Sequence, residues 1–271
     1  MGLIGYLIYF NTIKSDDFIN SPYNTRQDTF ADRVVRGKIM SSDGEVLAQT
    51  NVSEDGTEER SYPYNNVFAH VVGYDSNGKS GLESEANFQL LSSHEFFLNQ
   101  IRNEFMGTKN TGDTVVSTLN ADLQTTAYNS LGDRRGAVVA LEPSTGKILA
   151  MVSKPDFDPN TISENWDSLV NDETNSSLLN RATMGQYPPG STFKVVTALD
   201  YFRTHGSFNG FSFDCQGSIT KEGHTIQCYN GNVHGTEDFY TAFANSCNGA
   251  FAEIGMQINS EKFRALANQM L

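Results

Sequence analysis

The sequence predicts an α+β protein of two modules, a small one over residues 31–109 and a larger one over 110–271. Three observations carry this. Short alternating apolar runs with turn residues between them recur, as in "VVRGKIMSSDGEVLAQT" (34–50) and "GAVVALEPSTGKILAMVS" (136–153), and a period of two is the mark of half-buried strands. Helical composition or spacing governs 82–106, the stretch after Asn120 and the stretch after Ser191. Between the modules "GTKNTGD" (107–113) has the composition of a junction.

Taken in order, the chain opens on "MGLIGYLIYF", about half the ~20 apolar residues that a bilayer span needs. Polar, acidic sequence follows abruptly, nothing basic precedes it and no A-x-A-like cleavage site follows. Residues 1–10 are therefore expected to be the remnant of a membrane anchor, and 11–30 a juxtamembrane linker. In the small module "SSDG" joins two runs as a β-hairpin, and "YNNVFAHVVGY" (64–74) reads as a further strand. The larger module begins with a strand and a helix capped by Asn120 that carries Leu123, Ala127 and Leu131. Two strongly apolar strands, 137–142 and 147–152, then flank a Pro-Ser-Thr-Gly turn. A loop-rich stretch, 155–187, leads to the Ser191 helix, and a hairpin insert (211–229) and two helical segments complete the chain. No internal repeat is visible.

At 271 residues and a net charge of −13, the chain has ample material for a core, and its charge opposes a nucleic-acid partner. Cys215, Cys228 and Cys247 are too few for a disulfide framework. Cys215 and Cys228 flank two short strands around Glu222-Gly223, so a disulfide across that hairpin stays open beside two free thiols. His224 and His234 lie nearby, but without a C-x-x-C or a close His pair they are read as solvated or core histidines rather than metal ligands.

The chemistry-bearing signal is S-x-x-K, which occurs four times: Ser76/Lys79, Ser144/Lys147, Ser191/Lys194 and Ser218/Lys221. Two side chains three apart meet on a helix and diverge on a strand. "SNGK" and "STGK" are turn sequences and "SITK" lies in an alternating stretch, so those three are decoys. After Ser191, Val195, Ala198, Leu199 and Phe202 follow helical spacing, and Pro188, Pro189 and Gly190 put the helix start at or near Ser191. Helix N-termini stabilise negative charge, which suits an attacking serine oxygen. A lysine ordinarily near pKa 10.4 can serve as base if burial lowers it. The competing reading makes Ser191 a helix cap and Lys194 a solvated charge. A second motif, Ser246-Cys247-Asn248, supplies a hydroxyl and an amide two apart, fit to relay a proton and to hold a substrate amide.

"PPGSTFK" followed by "SCN", after "GAVVALEPSTGKILAMVSKPDFDPN", closely resembles the penicillin-binding proteins, specifically the class B, A-type peptidoglycan D,D-transpeptidases. "VVRGKIMSSDGEVLA" and "VVGYDSNGKSGLE" look like that family's pedestal, a dimerisation-type module. The resemblance implies a pedestal followed by the amino-terminal part of a penicillin-binding/serine β-lactamase-like transpeptidase domain. It implies Ser191 as acylated nucleophile, Lys194 as its base, Ser246 as proton relay and Asn248 as the group that orients the substrate. It further implies peptidoglycan stem peptides and β-lactams as ligands, no metal or organic cofactor, a single-pass anchor with extracytoplasmic domains, and a polytopic membrane glycosyltransferase as partner. The family's third motif, K-T-G or K-S-G downstream of S-x-N, has a match only at Lys79-Ser80-Gly81, far upstream. The chain is thus expected to be a carboxyl-terminally truncated transpeptidase that neither folds its catalytic half stably nor binds β-lactams alone. A serine β-lactamase or β-lactam sensor of the same superfamily, and a non-catalytic scaffold, are the alternatives. No G-x-S-x-G elbow supports a Ser-His-Asp hydrolase.

Overall fold

The computed structural model describes residues 2–10 and 33–270. The chain divides into two compact units between Gln186 and Tyr187. An apolar helix, Gly2–Tyr9, opens the first. Among the described residues no helix is long and apolar enough to cross a membrane.

The first unit is built on a four-stranded sheet of order β4-β3-β2-β6, with β2 Ile39–Met40, β3 Val46–Val52, β4 Glu58–Ser61 and β6 Val115–Val116. Neighbours are antiparallel except β2 and β6, which run parallel. β1 (Val34–Val35) pairs in parallel with β5 (Asn110–Thr111), so the stretch just after Lys109 closes onto strands near residue 35. The expected "SSDG" hairpin joins β2 to β3, with Gly44 in the positive-φ region its turn needs. Ile39, Leu47, Ala48, Phe68, Val72, Leu90 and Leu119 form the buried core.

"YNNVFAHVVGY" is not a strand. It forms a 3₁₀ turn, Asn65–Phe68, and a short helix, Ala69–Val72. Phe68 and Val72, four apart, both enter the core, and this packing outweighs the strand preference of the valines. The stretch read as loop contains a helix, Ile162–Val170, whose Ile162 and Trp166 pack with Ala69, Phe157 and Tyr74.

A buried charge cluster ties the sheet to the helix Gly81–Glu85. Glu83 is fully buried, and its carboxylate accepts from Arg36 Nε at 2.6 Å and Arg60 Nε at 2.7 Å. Arg36 also donates to the Glu83 carbonyl and to Asn87 Oδ1, and Arg60 to the Gly37 carbonyl. Burial, and then the Glu83 charge, push the adjacent Asp75 carboxyl above its ordinary value.

The helix Ala121–Leu131 is capped as expected: Asn120 Oδ1 accepts from the Leu123 amide at 2.8 Å, a contribution of about 1 kcal/mol. Its buried face carries Ala121, Gln124 and Ala127, while Leu123 is exposed. Gln124 donates to the Val67 and Met151 carbonyls and accepts from the Met151 amide. It thereby locks the helix to the antiparallel pair β7 (Gly136–Leu141) and β8 (Ile148–Lys154).

The second unit holds the helix Lys194–His205, the pair β9 (Phe213–Cys215) with β12 (Gly235–Glu237), the hairpin β10 (Ser218–Lys221) with β11 (His224–Gln227), and the helices Phe239–Ala244, Asn248–Gly255 and Ser260–Gln269. Glu222 and Gly223, both at positive φ, turn the expected hairpin. Phe239 is the hub of the core, with ring centroids 5.1 Å from Tyr201, 4.3 Å from Phe208 and 5.8 Å from Phe251. Such pairs contribute ~0.5–1.5 kcal/mol each beyond burial. They clamp Lys194–His205 against Asn248–Gly255, the two helices that carry the candidate chemistry.

Candidate active site

Ser191 does not begin an α-helix. It sits in a 3₁₀ turn, Gly190–Phe193, that runs into the α-helix at Lys194. Gly190 at φ 57° breaks the chain out of the Pro-Pro run. In a 3₁₀ turn side chains at i and i+3 eclipse, so Ser191 and Lys194 leave on one side. The helix buries Val196, Ala198 and Asp200, whereas Val195 and Phe202, expected on its core face, are exposed. Both sides of this helix are apolar, so spacing alone misjudged which of them packs within the unit.

Ser246 lies between two helices at φ 52°, a left-handed conformation that costs a non-glycine residue about 1 kcal/mol or more and recurs at functional sites. The turn aims Ser246 and Asn248 at the same place. Lys194 Nζ donates to the Ser246 carbonyl at 2.6 Å, to Ser246 Oγ at 2.9 Å and to Asn248 Oδ1 at 2.7 Å. Ser246 Oγ donates in turn to Ser191 Oγ at 3.0 Å. The structure thus brings Ser191, Lys194, Ser246 and Asn248 into one hydrogen-bonded set, in which Ser246 bridges the lysine and Ser191.

Three acceptors match the three N–H bonds of the Lys194 ammonium. Burial works against that charge and lowers the pKa of Lys194 from its ordinary value, while the nearby Cys247 and Cys228 act in the opposite sense. The first turn of a helix is also an unfavourable place for a cation. Ser191 is exposed, open to a large substrate. Chemically, the set offers a hydroxyl nucleophile, a path from it through a second hydroxyl to an amine, and an amide.

The other three S-x-x-K pairs lie in a turn, a loop and a strand. Ser144 and Lys147 are exposed in the β7–β8 turn, Ser76 and Lys79 lie in the loop before Gly81–Glu85, and Ser218 and Lys221 are on β10, where Lys221 pairs with Glu253. Sequence reasoning missed Gln227, whose carbonyl accepts from Asn248 Nδ2 at 2.8 Å, and Phe251, whose ring lies 5.4 Å below the Lys194 ammonium. It also missed Cys247, whose sulfur caps Asn248–Gly255 by accepting from the Ala250 amide. Gln227 has no sequence signal, because it acts through its backbone. Phe251 lies three residues past Asn248, one helical turn on.

Two stretches of the chain match known protein families. Residues 136–270 match the penicillin binding protein transpeptidase domain, and residues 36–115 match the penicillin binding protein A dimerisation domain. The peptidoglycan D,D-transpeptidase PbpA of Mycolicibacterium smegmatis is 36% identical over 254 residues, which cover 86% of this chain and 51% of that protein. MrdA of Acinetobacter baumannii, also a peptidoglycan D,D-transpeptidase, is 28% identical over 78% of this chain and 36% of its own length. Among solved structures, penicillin-binding protein A from M. tuberculosis as a penicillin G acyl-enzyme complex superimposes with a TM-score of 0.76 at 30% identity, covering 86% of this chain and 58% of that one. This chain spans about half the length of the PbpA proteins it matches.

Proposed function

This chain belongs to the class B penicillin-binding proteins, and from that premise we propose that it serves a peptidoglycan D,D-transpeptidase acylated at Ser191, and is a penicillin target. The observation that carries the reading is the continuous path from Lys194 Nζ through Ser246 Oγ to Ser191 Oγ. With Lys194 neutral, the path runs in reverse: Ser191 gives its proton to Ser246, and Ser246 gives its own to the amine. The Ser191 oxygen attacks the carbonyl of the penultimate D-Ala of a stem peptide, an ester forms and the amide bond to the terminal D-Ala breaks. The leaving amine takes its proton back through Ser246. A neighbouring stem's amine then attacks the ester, forming the cross-link and restoring Ser191. A β-lactam follows the first half of this sequence and stays attached.

Asn248 serves to orient the substrate peptide, in place of its present contact with the Gln227 carbonyl. The backbone N–H of Ser191 serves as one oxyanion donor. We assign residues 31–109 to a pedestal and 110–271 to the transpeptidase region. We read the protein as extracytoplasmic and held at a membrane by a single-pass anchor to which the apolar helix Gly2–Tyr9 would belong; a polytopic glycosyltransferase as its partner rests on the family resemblance alone.

In the complete protein a fluorescent penicillin is expected to label one site per chain, and excess peptide ending in D-Ala-D-Ala to slow the labelling. The label is expected to persist for many minutes and the enzyme to join stem peptides in a cross-linking assay. Rapid release with hydrolysed β-lactam would identify a β-lactamase, and no labelling of a cooperatively folded protein a non-catalytic scaffold.

A further inference from the structure

The helix Phe97–Met106 of the first unit is turned the opposite way from an ordinary surface helix, which faces its apolar stripe inward. Its polar side meets the body of the unit. Asn103 Nδ2 donates to Asn110 Oδ1, on β5, at 3.1 Å and to Glu95 Oε2 at 3.3 Å, while Glu95 Oε1 accepts from the Thr111 amide at 2.9 Å. Gln100 donates to the Glu95 carbonyl. At 3.6 residues per turn, Leu98, Ile101 and Phe105 fall within about 60° of one another, centred opposite Asn103. All three are exposed, Phe105 at 90% and Leu98 at 61%, and the exposed Phe96 and Met106 continue the apolar surface at the two ends of the helix. A continuous exposed apolar surface of this kind marks a contact.

The course of the chain points to what covers it. The Asn110 amide donates to the Arg33 carbonyl at 3.3 Å, and only Gly107, Thr108 and Lys109 separate Asn110 from Met106. Arg33 also lines one cleft with Gln100 and Glu104. The chain therefore enters the first unit beside this helix, from residues 11–32 and the apolar helix Gly2–Tyr9. Charge agrees with a lipid headgroup surface. Arg33 and Arg102 are exposed, and Glu104 is the single carboxylate of the helix, in a chain whose net charge is −13. Size disfavours a second copy as the occupant. A ten-residue helix is about 15 Å long and its stripe about 10 Å wide, some 150 Å² against the roughly 800 Å² per partner of a stable interface.

We propose that the helix Phe97–Met106 docks Leu98, Ile101 and Phe105 into the surface of the lipid bilayer at which the chain is anchored, and so fixes how the first unit stands on the membrane. The proposal rests on the membrane anchor read above. An interfacial helix sinks its apolar face about 5–10 Å, to the boundary of headgroups and acyl chains. Arg102, on the neighbouring row of the helix, keeps its guanidinium among anionic headgroups while its stem lies along the apolar surface. One short helix binds lipid weakly by itself. The anchor makes the docking intramolecular, so a small face suffices.

The test uses the complete protein reconstituted into vesicles of phosphatidylglycerol and phosphatidylethanolamine, with and without brominated acyl chains. Phe105→Trp adds an exposed reporter to Trp166, which packs in a core. The added emission is expected to shift to the blue in vesicles and to be lost with brominated lipid. Val170→Trp, exposed at the end of the helix Ile162–Val170, is expected to show neither effect. Leu98→Glu combined with Phe105→Trp is expected to restore the emission, and Arg102→Gln to lower the ratio of docked to free protein about fivefold. Protein that does not float with the vesicles would overturn the anchor, and with it the tether this docking needs. Protein that floats while Phe105→Trp stays unquenched would overturn the docking alone, and equal quenching at positions 105 and 170 would overturn the choice of face. Emission already shifted to the blue without lipid would also overturn it, assigning the face to a second copy if the shift grows with protein concentration and to another part of the complete chain if it does not.

Discussion

Lys194→Met is expected to slow penicillin acylation of Ser191 by about 10²- to 10⁴-fold, the range for loss of a general base. The substitution removes the amine at the end of the path through Ser246, and lysine and methionine are both good helix formers, so the intrinsic helix cost stays within about 1 kcal/mol. Stopped-flow acylation measured alongside thermal melting separates the two effects. The wild-type rate carries a second signature. Only neutral Lys194 accepts a proton, and burial lowers its pKa from the ordinary value of 10.5. Acylation is therefore expected to rise with pH and level off once pH passes that lowered pKa, with its half-point below 10.5. A rate in Lys194→Met near that of the wild type, or a wild-type rate that falls as pH rises through this region, would make Lys194 an ordinary surface charge.

Glu83→Gln is expected to destabilise the first unit by about 3–5 kcal/mol, the cost of breaking a buried ion pair from one side. The change keeps the size of the side chain and removes the charge that two guanidiniums, Arg36 and Arg60, both face. Both arginine side chains are nearly buried, at 8% and 6% exposed. Trp166 is the single tryptophan of the chain and packs in the core of this unit, so its fluorescence during urea unfolding reports this unit and not the other. A loss under 1 kcal/mol would mean that the cluster is solvated and contributes as little as a surface pair.

What the sequence revealed, and what it hid, follows from the reach of each interaction. The hairpins at Asp43-Gly44 and Glu222-Gly223 are written in two adjacent residues, and so were legible, as was the Asn120 cap. That Ser191 and Lys194, unlike the other three S-x-x-K pairs, share a helical turn was legible too, because local backbone decides whether two side chains share a face. The segment at 64–74 was misread, because the same valines suit a strand or a helix until Phe68 and Val72 find the core. The helix at 162–170 was readable in principle from Ile162, Trp166 and Leu169, yet the flanking prolines and asparagines obscured it. The bridging position of Ser246 and the role of Gln124 both depend on contacts between residues far apart in the chain. No periodicity announces such contacts, and a polar side chain that becomes buried looks in sequence like any other.

The most direct test of the account is to incubate the complete protein with penicillin G, digest it and map the adduct by mass spectrometry. The account predicts a single adduct, of the mass of the intact penicillin, on the peptide containing Ser191, and none in Ser191→Ala. An adduct on Ser144 or Ser218, or one that survives Ser191→Ala, would contradict it.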